Sequence, residues 1–127
     1  MGRPEQRRAA AVALYQEDVT HRPAPDLLDR DAKQFTRELV EGVESERGGL
    51  DALIERHSEG WTLDRIAPLE RNILRVALYE LLHRDDVPAE VAIDEAVEAA
   101  KELCGADTPK FVNGILGAVH REEVASR

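Results

Sequence analysis

The chain has 127 residues, 43% of them hydrophobic and 34% charged, with a net charge of −9; that suits one domain with an apolar core, burying about two-thirds of its unfolded surface, and argues against broad, nonspecific attraction to nucleic acid. No run reaches the roughly 18 consecutive apolar residues of a membrane span, and no apolar segment opens the chain as a signal peptide would. Cys104 is the single cysteine and can form no internal disulfide, so the expectation is a soluble, cytoplasmic protein.

Helical spacing recurs along the chain, and strand alternation persists nowhere. A first helix is predicted over about 5–18, with Ala11, Val12, Leu14, Tyr15 and Val19 on its apolar face. Pro23 and Pro25 then break the chain. A second helix starts at Asp26 or Asp31 and runs to Glu46 on a stripe of Phe35, Leu39, Val40 and Val43, and Gly48 and Gly49 are expected to end it. Residues 50–57 make a short third helix with Leu50, Leu53 and Ile54 inward, and Trp61, Leu63 and Ile66 fall in or beside a connecting turn. Pro68 suits the first turn of a long helix ending near His83. Its inward residues are Leu69, Ile73, Val76, Ala77 and Leu81 or Leu82. A further helix over about 90–103 carries Ile93, Ala96, Val97, Ala100 and Leu103, and Gly105 closes it. Asp107 or Thr108 caps the last helix, in which Phe111, Val112, Ile115, Leu116 and Val119 recur at helical spacing. Six or seven helices with short connections make an all-α bundle.

Nothing in the sequence assembles a catalytic or metal site. His21, His57, His83 and His120 stand at no zinc-type spacing and are expected at the surface. Gly48 and Gly49 lack the lysine and hydroxyl of a phosphate loop. Glu38, Glu41, Glu44, Glu95 and Glu98 read as a solvated face. Neither enzyme activity nor a cofactor is implied.

Three features suggest binding. Arg3 and Arg7 lie four residues apart, on one helix face, while Arg8 and Tyr15 lie seven apart, about two turns along one stripe. A row of guanidiniums and a ring suits single-stranded RNA, although a charged helix start with Tyr15 in the core fits the spacing too. Lys110 opens a helix, where free N–H groups favour a phosphate, and Phe111 beside it is either a stacking ring or a core residue. In the helix from Pro68, Ile73 and Leu74 are adjacent, so one of the two is expected to point away from the local core. A partly exposed Leu74 near Glu70 and Glu80 would suit a basic protein; a further helix could equally cover it.

In order along the chain, RRAAAVALYQ, FTRELVEGV, LERNILRVALYEL, VPAEVAIDEAVEAAK and PKFVNGIL resemble the NusB family of bacterial transcription antitermination factors. The resemblance spans nearly the whole chain. It implies one domain over 1–127, a compact all-α bundle of about seven helices in two three-helix subdomains, and no enzymatic activity. It further implies binding of boxA RNA in nascent ribosomal RNA transcripts together with NusE, a small-subunit ribosomal protein, within the RNA polymerase elongation complex and its other Nus factors. On the family pattern the RNA-binding positions fall on Arg3, Arg7, Arg8, Tyr15, Asp107, Lys110 and Phe111, and the partner-binding positions on Glu70, Leu74 and Glu80. The chain departs from the pattern in a thinner arginine cluster, in alanines at 9–11, and in Leu103 and Gly117 where the family often has an aromatic and an aspartate. Affinity for RNA without NusE is therefore expected to be low. Two other readings are an RNA-binding module like the N-terminal domain of ribosomal RNA cytosine methyltransferases, and a helical bundle for protein interaction alone, including a homodimer. The chain shows no Rossmann unit or catalytic cysteine motif that the first of these would bring.

Overall fold

The computed structural model describes residues 2–124. Six α-helices follow one another: α1 (Arg3–Thr20), α2 (Ala24–Leu27), α3 (Gln34–His57), α4 (Pro68–His83), α5 (Ala89–Leu103) and α6 (Thr108–Val119). A 3₁₀ turn, Leu63–Arg65, leads into α4, and a π-helical turn, His120–Val124, continues α6. Proline stands in the first turn of α1, α2, α4 and α6. There its missing N–H leaves nothing unpaired and its fixed φ already suits the helix. α1 stops at His21, whose left-handed backbone (φ 63°) turns its N–H onto the Glu17 carbonyl at 2.8 Å.

α4 is the axis of the bundle, packing against α1, α3, α5 and α6. A helix surrounded in this way has no outward face, and every residue from 72 to 78 is buried. This overturns the expectation that Ile73 or Leu74 points away from the core, since both are buried and Leu74 is 0% exposed. Around α4 the apolar centre is filled by Leu14 of α1, Leu39, Val43, Leu50 and Ile54 of α3, and Leu116 of α6.

Three other expectations change. Gly48 and Gly49 do not end a helix; α3 runs through them as one element. Both glycines face solvent, with no atom near enough to touch an added Cβ. Each costs about 1 kcal/mol against alanine. Leu50 and Ile54 resume the stripe of Leu39 and Val43, and burying each contributes about 1.5–3 kcal/mol, so packing outweighs propensity. Residues 21–25 are no simple break, because α2 begins within them. Val19 lies in the last turn of α1, beyond that helix's buried stretch, and is 53% exposed; Leu103, at the end of α5, is also exposed.

A buried polar cluster fastens α1, α3 and α4 together. The Arg75 guanidinium donates to both oxygens of Asp51 (2.7 and 2.9 Å), to Asp18 (2.9 Å) and to Asn72 (3.0 Å). Burial alone would lower its pKa, but Asp51 and Asp18 more than offset that and hold it above the usual arginine value. Gly42 sets the closest approach of α3 to α4: a Cβ there would overlap the Tyr79 ring.

Candidate nucleic-acid interface

The arginines of α1 meet three different fates. Arg7 is buried, and its Nε–H is shared between the two Glu80 carboxylate oxygens at 2.9 and 3.0 Å. Glu80 lies 73 residues away on α4 with its side chain 0% exposed. This pair ties α1 to α4 and leaves neither partner for a ligand. Arg7, expected at an RNA surface, and Glu80 and Leu74, expected on a partner-binding face, are all buried inside the bundle, because α1 lies along α4. Arg3 and Arg7 do share a face, as their spacing predicts, but that face carries Phe35. Its ring is approached by the guanidiniums of Arg3 (4.1 Å to the centroid), Arg84 (5.2 Å) and Arg7 (5.3 Å).

Arg3 remains about half exposed, 3.4 Å from Asp86. Arg84 donates to both Asp86 oxygens at 2.9 Å and to Glu38 at 2.8 Å. Those hydrogen bonds from Arg84 hold the Asp86 carboxyl well below the usual carboxylate range. Glu38 is thereby an ion-pair partner and not merely part of a solvated face. Arg8 turns instead to α5, where its Nε lies 3.0 Å from Glu102 without a hydrogen-bond alignment. Tyr15 is half-buried two turns further along α1.

A second set of predicted residues gathers at the start of α6. Asp107 occupies the N-cap position but makes no side-chain cap bond, so the expected cap is absent. Lys110 is exposed, and among the described residues no carboxylate lies within ion-pair distance of it. Phe111 is half-buried, packed against the core yet lining the surface. A groove of about 350 Å³ runs past Asp107 and Phe111, and Trp61, Arg65 and Glu70 form much of its remaining wall. Glu70 is half-buried there, and burial pushes its carboxyl above the ordinary glutamate value. Asp107, Lys110, Phe111 and Glu70 are thus brought together, whereas Arg3 and Arg7 stand with Phe35 elsewhere. His57, expected at the surface, has its ring mostly covered and 3.1 Å from Glu122.

Sequence reasoning passes over Trp61, Arg65 and Arg121, which stand around Phe111 and Lys110. The one available signal is the segment WTLDR, with a tryptophan and an arginine in a turn where no apolar stripe demands either.

A family model described as the NusB family matches residues 4–121. The Rubrobacter xylanophilus protein named "Transcription antitermination protein NusB" is 46% identical over 122 residues, covering 91% of this chain and 88% of its own length. T. maritima NusB superposes with a TM-score of 0.88 at 35% identity, covering 99% of this chain and 95% of that one. A structure of antitermination factors NusB and NusE in complex with dsRNA reaches a TM-score of 0.81 at 26% identity, covering 95% and 98%.

Proposed function

The chain belongs to the NusB family, and from that premise we propose that it is a transcription antitermination factor. It binds boxA RNA in nascent ribosomal RNA transcripts together with NusE, and with other Nus factors keeps RNA polymerase elongating. The observation that carries this reading is the 46% identity, over 91% of the chain, to a protein named for that role. The same pairing occurs in the NusB–NusE–dsRNA structure, whose NusB has this fold. In this reading residues 1–127 act as one helical RNA-binding domain in the cytoplasm, and the work is done by binding, without catalysis.

The chemistry follows from which groups are available. Arg3 and Arg8 keep part of their guanidiniums at the surface and contact phosphates. Lys110 adds its exposed charge to the positive end of the α6 dipole. Tyr15 and Phe111 offer ring faces to bases, and the uncapped Asp107 carboxylate accepts from a base amino group. Glu70 turns its partly desolvated carboxylate toward a basic group of NusE, whose positive charge offsets the chain's net −9. Without NusE, that excess of negative charge keeps RNA affinity low.

The test is an electrophoretic mobility shift of boxA RNA with and without NusE. Binding should be tighter with NusE. Arg3→Ala with Arg8→Ala should weaken it, and the slope of log affinity against log salt should shrink by about 0.7 for each phosphate that is no longer neutralised. Glu70→Lys should weaken NusE binding while the helical circular dichroism stays unchanged. No shift of boxA RNA at any concentration of NusE would overturn the proposal.

A further inference from the structure

Beyond Lys110 and Phe111, a second groove of about 490 Å³ lies between the turn after α3 and the flank of α6. Trp61 and Phe111 give it aromatic walls, Lys110 and Arg121 its positive charge, and His57 and Glu59 further polar lining. Its volume is in the range that accepts a small ligand. Trp61 is the chain's one tryptophan and is 51% exposed. An indole left half in water is unfavourable unless something covers it.

The ring is displayed by a built turn. Ser58, itself buried, shares its one hydroxyl proton between the Trp61 carbonyl at 2.6 Å and the Glu55 carbonyl at 3.1 Å, and the Trp61 backbone N–H returns to the Ser58 carbonyl at 3.2 Å. Glu59 and Gly60 take left-handed backbone angles (φ 51° and 91°) to close it, a conformation that a side chain such as glutamate rarely adopts. The Trp61 and Phe111 rings line the same two grooves, yet they are not stacked on each other; the stacked pair among the described residues is Tyr79 with His83. Both aromatic side chains therefore border the same groove space.

Glu59, Glu70 and Asp107 share the lining of these grooves with the cations, and the neighbouring Asp64 carboxyl is lowered by its hydrogen bond from Thr62 and, to a smaller extent, by the charge of Arg65. Among the described residues, Arg65, Lys110 and Arg121 have no carboxylate within ion-pair distance, whereas every arginine of α1 and α4 has one. Arg65 instead lies over the Trp61 ring at 5.5 Å. In a chain of net charge −9, three cations without an ion-pair carboxylate beside two aromatic rings suit a polyanion with flat bases.

We propose that this groove takes a nucleotide of the same single-stranded RNA, its base between Trp61 and Phe111 and its phosphates on Lys110 and Arg121. The RNA path thereby extends around the start of α6 onto the turn after α3. This rests on the RNA-binding reading above and adds Trp61 and Arg121 to the residues that touch RNA.

The experiment uses the full chain with NusE, titrated with a boxA oligoribonucleotide extended by uridines at both ends. The anisotropy of a label on the RNA is followed beside the emission of Trp61, with the NusE signal subtracted. The expected result is quenching of Trp61 by about half or more, saturating with the anisotropy. Trp61→Ala should weaken binding about 5-fold or more, Trp61→Phe should retain most of the affinity, and Arg121→Ala should lower the salt slope by about 0.7. A full anisotropy change with unaltered Trp61 emission, and native affinity in a folded Trp61→Ala variant, would remove the groove from the RNA path while leaving the RNA-binding reading intact. Quenching by NusE alone, with no further change on adding RNA, would overturn it in favour of a protein site. No anisotropy change at all would overturn both readings.

Discussion

Replacing Arg7 by alanine separates a structural arginine from an RNA-binding one. Its Nε–H sits at 2.9 and 3.0 Å from the two oxygens of Glu80, whose side chain is fully enclosed. Ala11, Ile73, Val76, Ala77 and Ala96 surround the pair with apolar atoms. With charge centres about 4 Å apart, the Coulomb attraction is about 4 kcal/mol at an effective dielectric of 20. Removing one member of such a pair strands the other charge and costs about 3–5 kcal/mol. That is a large share of the roughly 5–15 kcal/mol that holds a domain folded. With a urea m-value near 2 kcal/mol per molar, the Arg7→Ala midpoint should fall by about 1.5–2.5 M. Arg7→Met combined with Glu80→Leu should recover most of the loss, because an apolar pair of similar volume serves as well in such a place. In RNA titrations at temperatures where Arg7→Ala remains folded, the salt slope should match that of the wild type, since the same phosphates stay neutralised. A native urea midpoint together with weakened RNA binding would refute the reasoning and return Arg7 to the RNA surface.

Two further substitutions test the fold and one its response to pH. Gly42→Ala should destabilise by about 1–3 kcal/mol, because the new methyl group overlaps Tyr79 and forces α3 from α4. Gly48→Ala, in open space on the same helix, should stabilise by about 0.5–1 kcal/mol; urea midpoints moving in the same direction for both would contradict this account of α3. Burial and the neighbouring Glu17 push the Glu44 carboxyl from 4.5 up to about 7. The folded state therefore holds that proton more tightly than the unfolded chain, so Glu44's contribution to stability is full below pH 4.5 and fades as pH rises toward 7. Glu44→Gln should remove this fall and gain up to ~1 kcal/mol at pH 8, a figure reduced for the side chain's partial exposure. Equal slopes of melting temperature against pH for wild type and variant would show that the carboxyl does not titrate in this window.

The helix starts can be read directly from the sequence. Pro68 and Pro109 mark the first turns of α4 and α6, and the apolar spacing of Phe111 to Val119 carries α6 to its end. Both signals are local, because a helix period and a missing N–H act within one or two turns. The motifs likewise carry the family. Periodicity reports that a helix has a buried face, but not how many neighbours surround it. Whether Leu74 is exposed or covered therefore stays open until α1, α3, α5 and α6 are placed around α4. Gly48 and Gly49 look like a terminus because propensity is local, whereas the packing of Leu50 and Ile54 that keeps α3 continuous is not. Charge is the least legible of all. Arg3, Arg7 and Arg8 are near neighbours in sequence, yet their carboxylates come from positions 86, 80 and 102. Arg65, Lys110 and Arg121 look no different as letters and find none among the described residues. Only the through-space placement of distant acids decides which cations are neutralised inside the fold and which are left to meet a phosphate.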